Sequence, residues 1–163
     1  MKRIVIATWI AAGLSCAACA SDDSESSPSD EPGPGKFAPD YRSSAAFFTQ
    51  TSKLLPGNSP HGASQIWYSS NLKPLISEER FSAPEGTVSI KEFDANGDGK
   101  LDGLAVMIKR EPGYDPENGD WYYDMRTVAG EIMPDPPPGK ISMCVGCHGQ
   151  FKDTDYLGGT ELR

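Results

Sequence analysis

Apolar and polar residues alternate along four stretches of this chain: Gln65-Ile66-Trp67-Tyr68, Thr87 to Phe93, Gly103 to Lys109 and Trp121 to Val128. A period of two, in runs rich in β-branched and aromatic residues, predicts half-buried strands. The intervening segments are turn chemistry: Ala83-Pro84-Glu85-Gly86, the Asp/Gly-rich segment 94–102, and residues 112–119 with their Pro, Gly, Asp and Asn. Two stretches have helical spacing. One is Tyr41 to Leu54, where Ala45, Phe48 and Leu55 fall on one side, and the other surrounds Cys144. The pattern predicts an α+β fold, mainly antiparallel β-sheet, with an N-terminal helix and a C-terminal helix packed on the sheet. Fourteen prolines and seventeen glycines spread along 163 residues argue against a helical bundle.

The two ends of the chain read differently from its middle. Lys2 and Arg3 followed by the apolar run Ile4 to Leu14 resemble a secretory leader, and that run is too short to span a bilayer. Residues 1–18 are therefore expected to be a signal peptide. Cys19, preceded by Ala17 and Ala18, is placed like the lipid-bearing cysteine of a bacterial lipoprotein. Cys16, after Gly13-Leu14-Ser15, is a competing site, and simple cleavage after Ala18-Cys19-Ala20 also satisfies the small-residue rule. Residues 19–36 contain Ser, Asp, Glu, Pro and Gly but no large apolar side chain, so they cannot offset the entropy of ordering and read as a tether. The expectation is one folded domain, 37–163, exported to the periplasm or cell envelope and held to a membrane by a lipid anchor.

Charge excludes one class of partner. From a total of −8, removing Lys2 and Arg3 of the leader and the five acids and Lys36 of the tether leaves −6 for the domain. A domain of that sign repels phosphate backbones, so no nucleic acid is expected to bind.

The most specific chemistry is Cys144-Val145-Gly146-Cys147-His148. Two thiols separated by two residues can each add to a vinyl group of one porphyrin, and the adjacent imidazole then lies under the iron, which is the attachment signal of a covalent c-type haem. The expected cofactor is haem c, with Cys144 and Cys147 as thioethers and His148 as proximal ligand. A disulfide, or a zinc site that recruits His61 together with His148, is the alternative use of the same residues. With Cys16 and Cys19 in the leader, no cysteine remains for a structural disulfide.

A second constellation is Asp94, Asn96, Asp98, Lys100 and Asp102. Side-chain oxygens stand at positions one, three, five and nine, the Lys100 carbonyl at seven and Gly99 at six, which is the ligand order of a calcium loop. Ala105 takes the twelfth position, where an EF-hand has glutamate, and the flanks alternate like strands. The loop looks instead like the calcium hairpins of integrin-type repeats. A metal-free Asp/Asn/Gly turn would use the same residues. Bound calcium would be structural, stiffening the hairpin that begins three residues after Lys91.

The ordered set Pro39-Asp40-Tyr41-Arg42, Gly86-Thr87-Val88-Ser89-Ile90-Lys91-Glu92, Asn118-Gly119-Asp120-Trp121-Tyr122 and Cys144 to His148 resembles the cytochrome P-460 family over most of residues 37–150. The resemblance implies a mostly antiparallel sheet, often a homodimer, with the haem motif near the C-terminus. It also implies that Lys91 corresponds to the lysine cross-linked to the haem edge in the hydroxylamine-oxidising members. Alternation along 87–93 independently groups Lys91 with Thr87, Ser89 and Phe93 on one face, opposite Val88 and Ile90; taken alone, that pattern also suits a solvent-facing lysine.

Three functions are compatible with these residues. The first is oxidation of hydroxylamine or a related small nitrogen species at an open haem site, with a periplasmic electron acceptor and Glu92, Asp124 or Glu131 as proton acceptor. The second is a nitric-oxide or gas-binding cytochrome like the cytochromes c-prime beta, with a pocket built from Phe93, Met107, Trp121 and Tyr123. The third is an electron carrier whose iron takes a sixth ligand from His61, Met107, Met125, Met133 or Met143.

Overall fold

The computed structural model describes residues 40–57 and 60–158. The leader, the tether and Cys19 lie outside the described residues. Five strands, β1 (Phe47–Thr49), β2 (Ala63–Ser69), β3 (Val88–Asp94), β4 (Gly103–Lys109) and β5 (Trp121–Arg126), form one antiparallel sheet in chain order. A short helix, α1 (Ser142–His148), comes after them, and 3₁₀ turns occupy Ser70–Leu72, Pro116–Asn118 and Gly149–Thr154. The mixed, mainly antiparallel fold and the C-terminal helix agree with the sequence pattern.

Register explains why the alternation is so plain. Ile90 pairs with Trp67 on one side and Val106 on the other, and Lys91 pairs with Ile66 and Ala105. Every second residue therefore shares a face. On one face Ile66, Tyr68, Met107, Trp121 and Tyr123 pack with Leu72, Ile141, Tyr156 and Leu157, and with Cys144 and Val145 of α1. On the other, Ile90, Leu104 and Val106 pack with Tyr41, Phe47, Trp67 and Ile108. Each face is thus covered by a different end of the domain: residues 41–47 over one, α1 and the segment up to Leu157 over the other.

The helix expected over 41–54 is absent. Asp40 closes a turn by accepting hydrogen bonds from the Ser43 and Ser44 amides, at 2.9 and 3.0 Å, and the Ala46 amide donates to Ser44 Oγ at 3.2 Å. Serine hydroxyls compete for backbone groups in this way and oppose helix interiors. The aromatic and β-branched run Phe47-Phe48-Thr49 then pairs with Trp67–Ser69 as an edge strand. Tertiary pairing has overridden local spacing, and Tyr41 is drawn to the sheet, where its hydroxyl and the Arg42 guanidinium both donate to Glu92.

Strand β5 ends two residues before the expected boundary. Thr127 to Glu131 form a turn closed by Thr127 N to Glu131 O at 2.9 Å, and Arg126 bridges Ile132. Asp124 and Arg126, two apart and so on one face of β5, form a fully buried ion pair through two hydrogen bonds of 2.8 Å.

Candidate functional site

The face of the sheet that carries Lys91 is the face that α1 covers, and between them lies a small cleft that opens to solvent. Ser89 and Lys91 of β3, Ala105 and Met107 of β4, and Tyr123 and Met125 of β5 form its floor. Cys144 and His148 of α1, Leu157, and His61 from the turn before β2 form its walls. The sequence-predicted residues Lys91, Cys144 and His148 thus meet in one place, although the lysine is on the central strand and the two motif residues are on the helix that follows the sheet. Cys147, one helical turn on from Cys144, is exposed.

His148 is held in one tautomer. Its Nδ1 lies 2.7 Å from the Tyr156 carbonyl oxygen. That oxygen can only accept, so Nδ1 carries the hydrogen and Nε2 keeps its lone pair, the form in which imidazole ligates a metal. Burial lowers the pKa of His148, the Tyr156 carbonyl partly offsets this, and the Lys91 charge lowers it further. The imidazole is accordingly neutral near pH 7.

The carbonyl that orients His148 is itself locked. Asp155 and Tyr156 both adopt left-handed backbone, at φ 49° and 64°. The Tyr156 amide donates to Phe151 O at 2.7 Å, and its hydroxyl to Glu117 O at 3.1 Å. The Asp155 carboxylate accepts from the Ala83 amide at 2.7 Å and from Lys109 Nζ at 2.6 Å, and Lys109 also donates to Gly119 O at 2.8 Å. Gly119 is required there: a Cβ would stand 2.4 Å from the Tyr156 ring. Sequence reasoning missed this support, because neither the left-handed pair nor the Lys109–Asp155 contact, 46 positions apart, leaves a local signal.

The cleft has the features a haem would need. Both thiols are free, Cys144 half-buried at the wall. Burial, and then Cys147, raise the pKa of Cys144, so it sits as a neutral thiol. Ile66, Met107 and Leu157 supply an apolar lining. Tyr123 Oη is buried and has no hydrogen-bond partner among the described residues, an orphaned donor of a residue that lines the cleft. A buried hydroxyl of this kind calls for a partner that the described residues do not supply. Its ring lies 5.7 Å from that of His148. Among the described residues no three His, Cys, Asp or Glu side chains are grouped as metal ligands, in the cleft or in the 94–102 hairpin.

Of the acids considered as proton acceptors, none offers a carboxylate to the cleft. Glu92 points to the opposite face, bound by Tyr41 and Arg42. Asp124 lends part of the cleft wall, but its carboxylate is occupied by Arg126. Glu131 is exposed in a turn. Among the candidate sixth ligands His61, Met107 and Met125 line the cleft, whereas Met133 and Met143 are exposed. Tyr123 and Met107 line the cleft; Phe93 packs on His61, and Trp121 is buried under Lys109 Nζ, 5.2 Å from the ring centroid.

The segment 94–102 is the hairpin between β3 and β4. Asp94 accepts from the Gly97 and Gly99 amides at 2.7 and 2.8 Å, Asn96 Oδ1 from Asp98 N, Asp98 Oδ1 from Lys100 N, and Asp102 Oδ2 from Ala95 N. Gly97 and Gly99 have φ of 76° and 83°, which lets the loop curl round its own oxygens. Among the described residues no helix is long and apolar enough to cross a membrane. No protein-family model matches the chain, and no curated protein matches it.

Proposed function

We propose that this chain is an exported, lipid-anchored c-type haem protein that oxidises hydroxylamine or a related small nitrogen species at an open haem site. The observation that carries the reading is the meeting of Lys91, Cys144 and His148 in one cleft, with His148 Nδ1 already engaged by the Tyr156 carbonyl. Cys144 and Cys147 would hold the haem by thioether bonds, and His148 Nε2 would ligate the iron. A bound haem supplies an iron that takes up the substrate nitrogen and passes its electrons to an external periplasmic acceptor.

The chain's own residues have definable tasks. The Tyr156 carbonyl keeps His148 oriented and raises its basicity. Ile66, Met107 and Leu157 exclude water from the cleft. Tyr123, whose pKa burial raises, stays protonated and donates. Lys91 stands on the floor, and its charge is felt by both cleft imidazoles. A cross-link from Lys91 Nζ would replace one N–H and one haem-edge C–H by a C–N bond. The two electrons and two protons released would go to an oxidant of the peroxide class. The 94–102 hairpin would hold a structural calcium ion through Asp94, Asn96, Asp98, the Lys100 carbonyl and Asp102.

The apolar lining favours one second reading, a nitric-oxide or gas-binding cytochrome in which Lys91 stays an unmodified amine. The reduced absorption spectra of wild type and Lys91→Ala, expressed with haem-maturation factors, separate the two. A red-shifted Soret band that returns to an ordinary c-type position in the variant supports the cross-link and the oxidase. An ordinary band in both supports gas binding.

A further inference from the structure

Strand register sets the floor of the cleft as two rows of side chains. Tyr68, Ser89, Met107 and Tyr123 pair across β2 to β5, and beside them run Ile66, Lys91, Ala105 and Met125. Ser89 is the small residue of its row, and Ala105 is the small residue of the other. Set among larger neighbours, the two leave the floor shallow next to Lys91, and both line the cleft.

Ser89 is only 6% exposed, yet among the described residues its hydroxyl makes no hydrogen bond. The hydroxyls nearest to it on the same face and across the strand pair are already spent. Thr87 Oγ1 donates to the Pro84 carbonyl at 2.7 Å and accepts from Asn71 Nδ2 at 3.1 Å. Ser69 Oγ donates to Asn71 Oδ1 at 2.6 Å and accepts from the Val88 amide at 2.8 Å. A buried hydroxyl without a partner is costly, and alanine or valine would occupy a strand position without that cost. The position of Ser89 indicates what the partner is. The His148 ring lies against Tyr123 of β5, centroids 5.7 Å apart. Ser89 is on β3, two strands away in the sheet, about 10 Å across it. Imidazole and hydroxyl thus belong to opposite sides of the cleft, and a small ligand between them meets Ser89 with the end turned away from His148.

We infer that Ser89 is a positioning residue whose hydroxyl donates a hydrogen bond to a small ligand in the cleft, selecting strong acceptors, such as hydroxylamine oxygen or a halide, over carbon monoxide. The inference rests on the reading of the cleft as a haem site and deepens it by naming a group that discriminates among ligands. No bond is made or broken in this role: Ser89 Oγ–H donates and the ligand accepts.

The test is fluoride titration of the ferric holoprotein at pH 7, with carbon monoxide binding to the reduced holoprotein as a weak-acceptor reference. Four proteins are compared: wild type, Ser89→Ala, and the pair Ser89→Thr and Ser89→Val, which match in volume and differ by the hydroxyl. Ala and Val should weaken fluoride binding by about tenfold, the worth of one hydrogen bond to an anion, and should raise the C–O stretching frequency of the carbon monoxide complex. Thr should keep both close to wild type, and carbon monoxide association should stay within about twofold in all four. Equal fluoride affinity in Thr and Val would overturn the inference, because volume and not the hydroxyl would then set binding. Affinities unchanged in every variant would overturn it too and leave the haem site intact. Failure of the wild type to retain haem at all would overturn both the inference and the reading beneath it.

Discussion

Asp155→Asn is the substitution that most sharply probes how the fold supports the site. Asn is isosteric and, like Asp, tolerates the left-handed backbone at φ 49°, so the change removes charge without adding strain. It leaves Lys109 Nζ, with a side chain only 12% exposed, facing a neutral amide in place of a carboxylate 2.6 Å away. Removing one partner of a buried pair costs roughly 3–5 kcal/mol. The Ala83 amide and Lys109 Nζ both donate to the same oxygen, Oδ2, and the Asn amide oxygen in that place still accepts from both, so only the charge is lost and the lower end applies, about 3 kcal/mol. With a urea dependence of about 2 kcal/mol/M, the unfolding midpoint should fall by roughly 1.5 M. Adding Lys109→Met should recover more than half of the loss, because the stranded charge is then gone. A midpoint shift smaller than about 0.5 M, or no recovery in the double variant, would show that the pair is not the lock described. In the holoprotein the same variant should move the haem reduction potential, because the Tyr156 carbonyl next to it sets the basicity of His148.

The geometry yields three further outcomes. Gly62→Ala should destabilise the fold by about 2–4 kcal/mol in equilibrium unfolding, since its Cβ meets the Asp94 carbonyl and φ is positive. Calorimetry at millimolar calcium should show binding that Asp98→Ala abolishes without unfolding the domain, because Asp98 otherwise only caps the Lys100 amide. In the apoprotein, His61 takes its proton at 6.5 when unfolded and at about 4 when folded. Its contribution to stability is therefore complete above pH 6.5 and lost as pH falls through about 4. Urea titrations across that window should show a steeper acid loss in wild type than in His61→Gln, by at most roughly 3 kcal/mol and less where solvent screens the ring.

Much of the fold is legible in the sequence because local periodicity encodes the side on which a residue is buried. The alternation in 87–93 puts Lys91 and Ile90 on opposite faces, and the register agrees: Ile90 packs with Leu104 and Val106, and Lys91 faces the cleft. The hairpin at 94–102 and the helix at the Cys144 motif are equally visible, since turn chemistry and motif spacing are local. The remainder depends on contacts remote in sequence. Residues 41–54 have helical spacing, yet the open edge of β2 and the Glu92 carboxylate 50 positions away from Arg42 decide their conformation. In sequence Glu92 and Asp124 are available as bases; in the fold Arg42 and Arg126 occupy them. His61, which the sequence offers only as a sixth iron ligand or a zinc partner, carries a faint signal of its own: a glycine directly after it, at the entry to a strand, marks a close backbone approach.

The most direct test of the central claim is whether haem is covalently bound through the Cys144 motif. Wild type and Cys144→Ser/Cys147→Ser, each expressed with haem-maturation factors, would be extracted with acidified acetone and the polypeptide weighed by mass spectrometry. The account predicts that the wild-type chain gains the mass of one haem, which stays with the polypeptide, and that the double variant gains none. A wild-type chain of unmodified mass, with any haem released into the solvent, would contradict it.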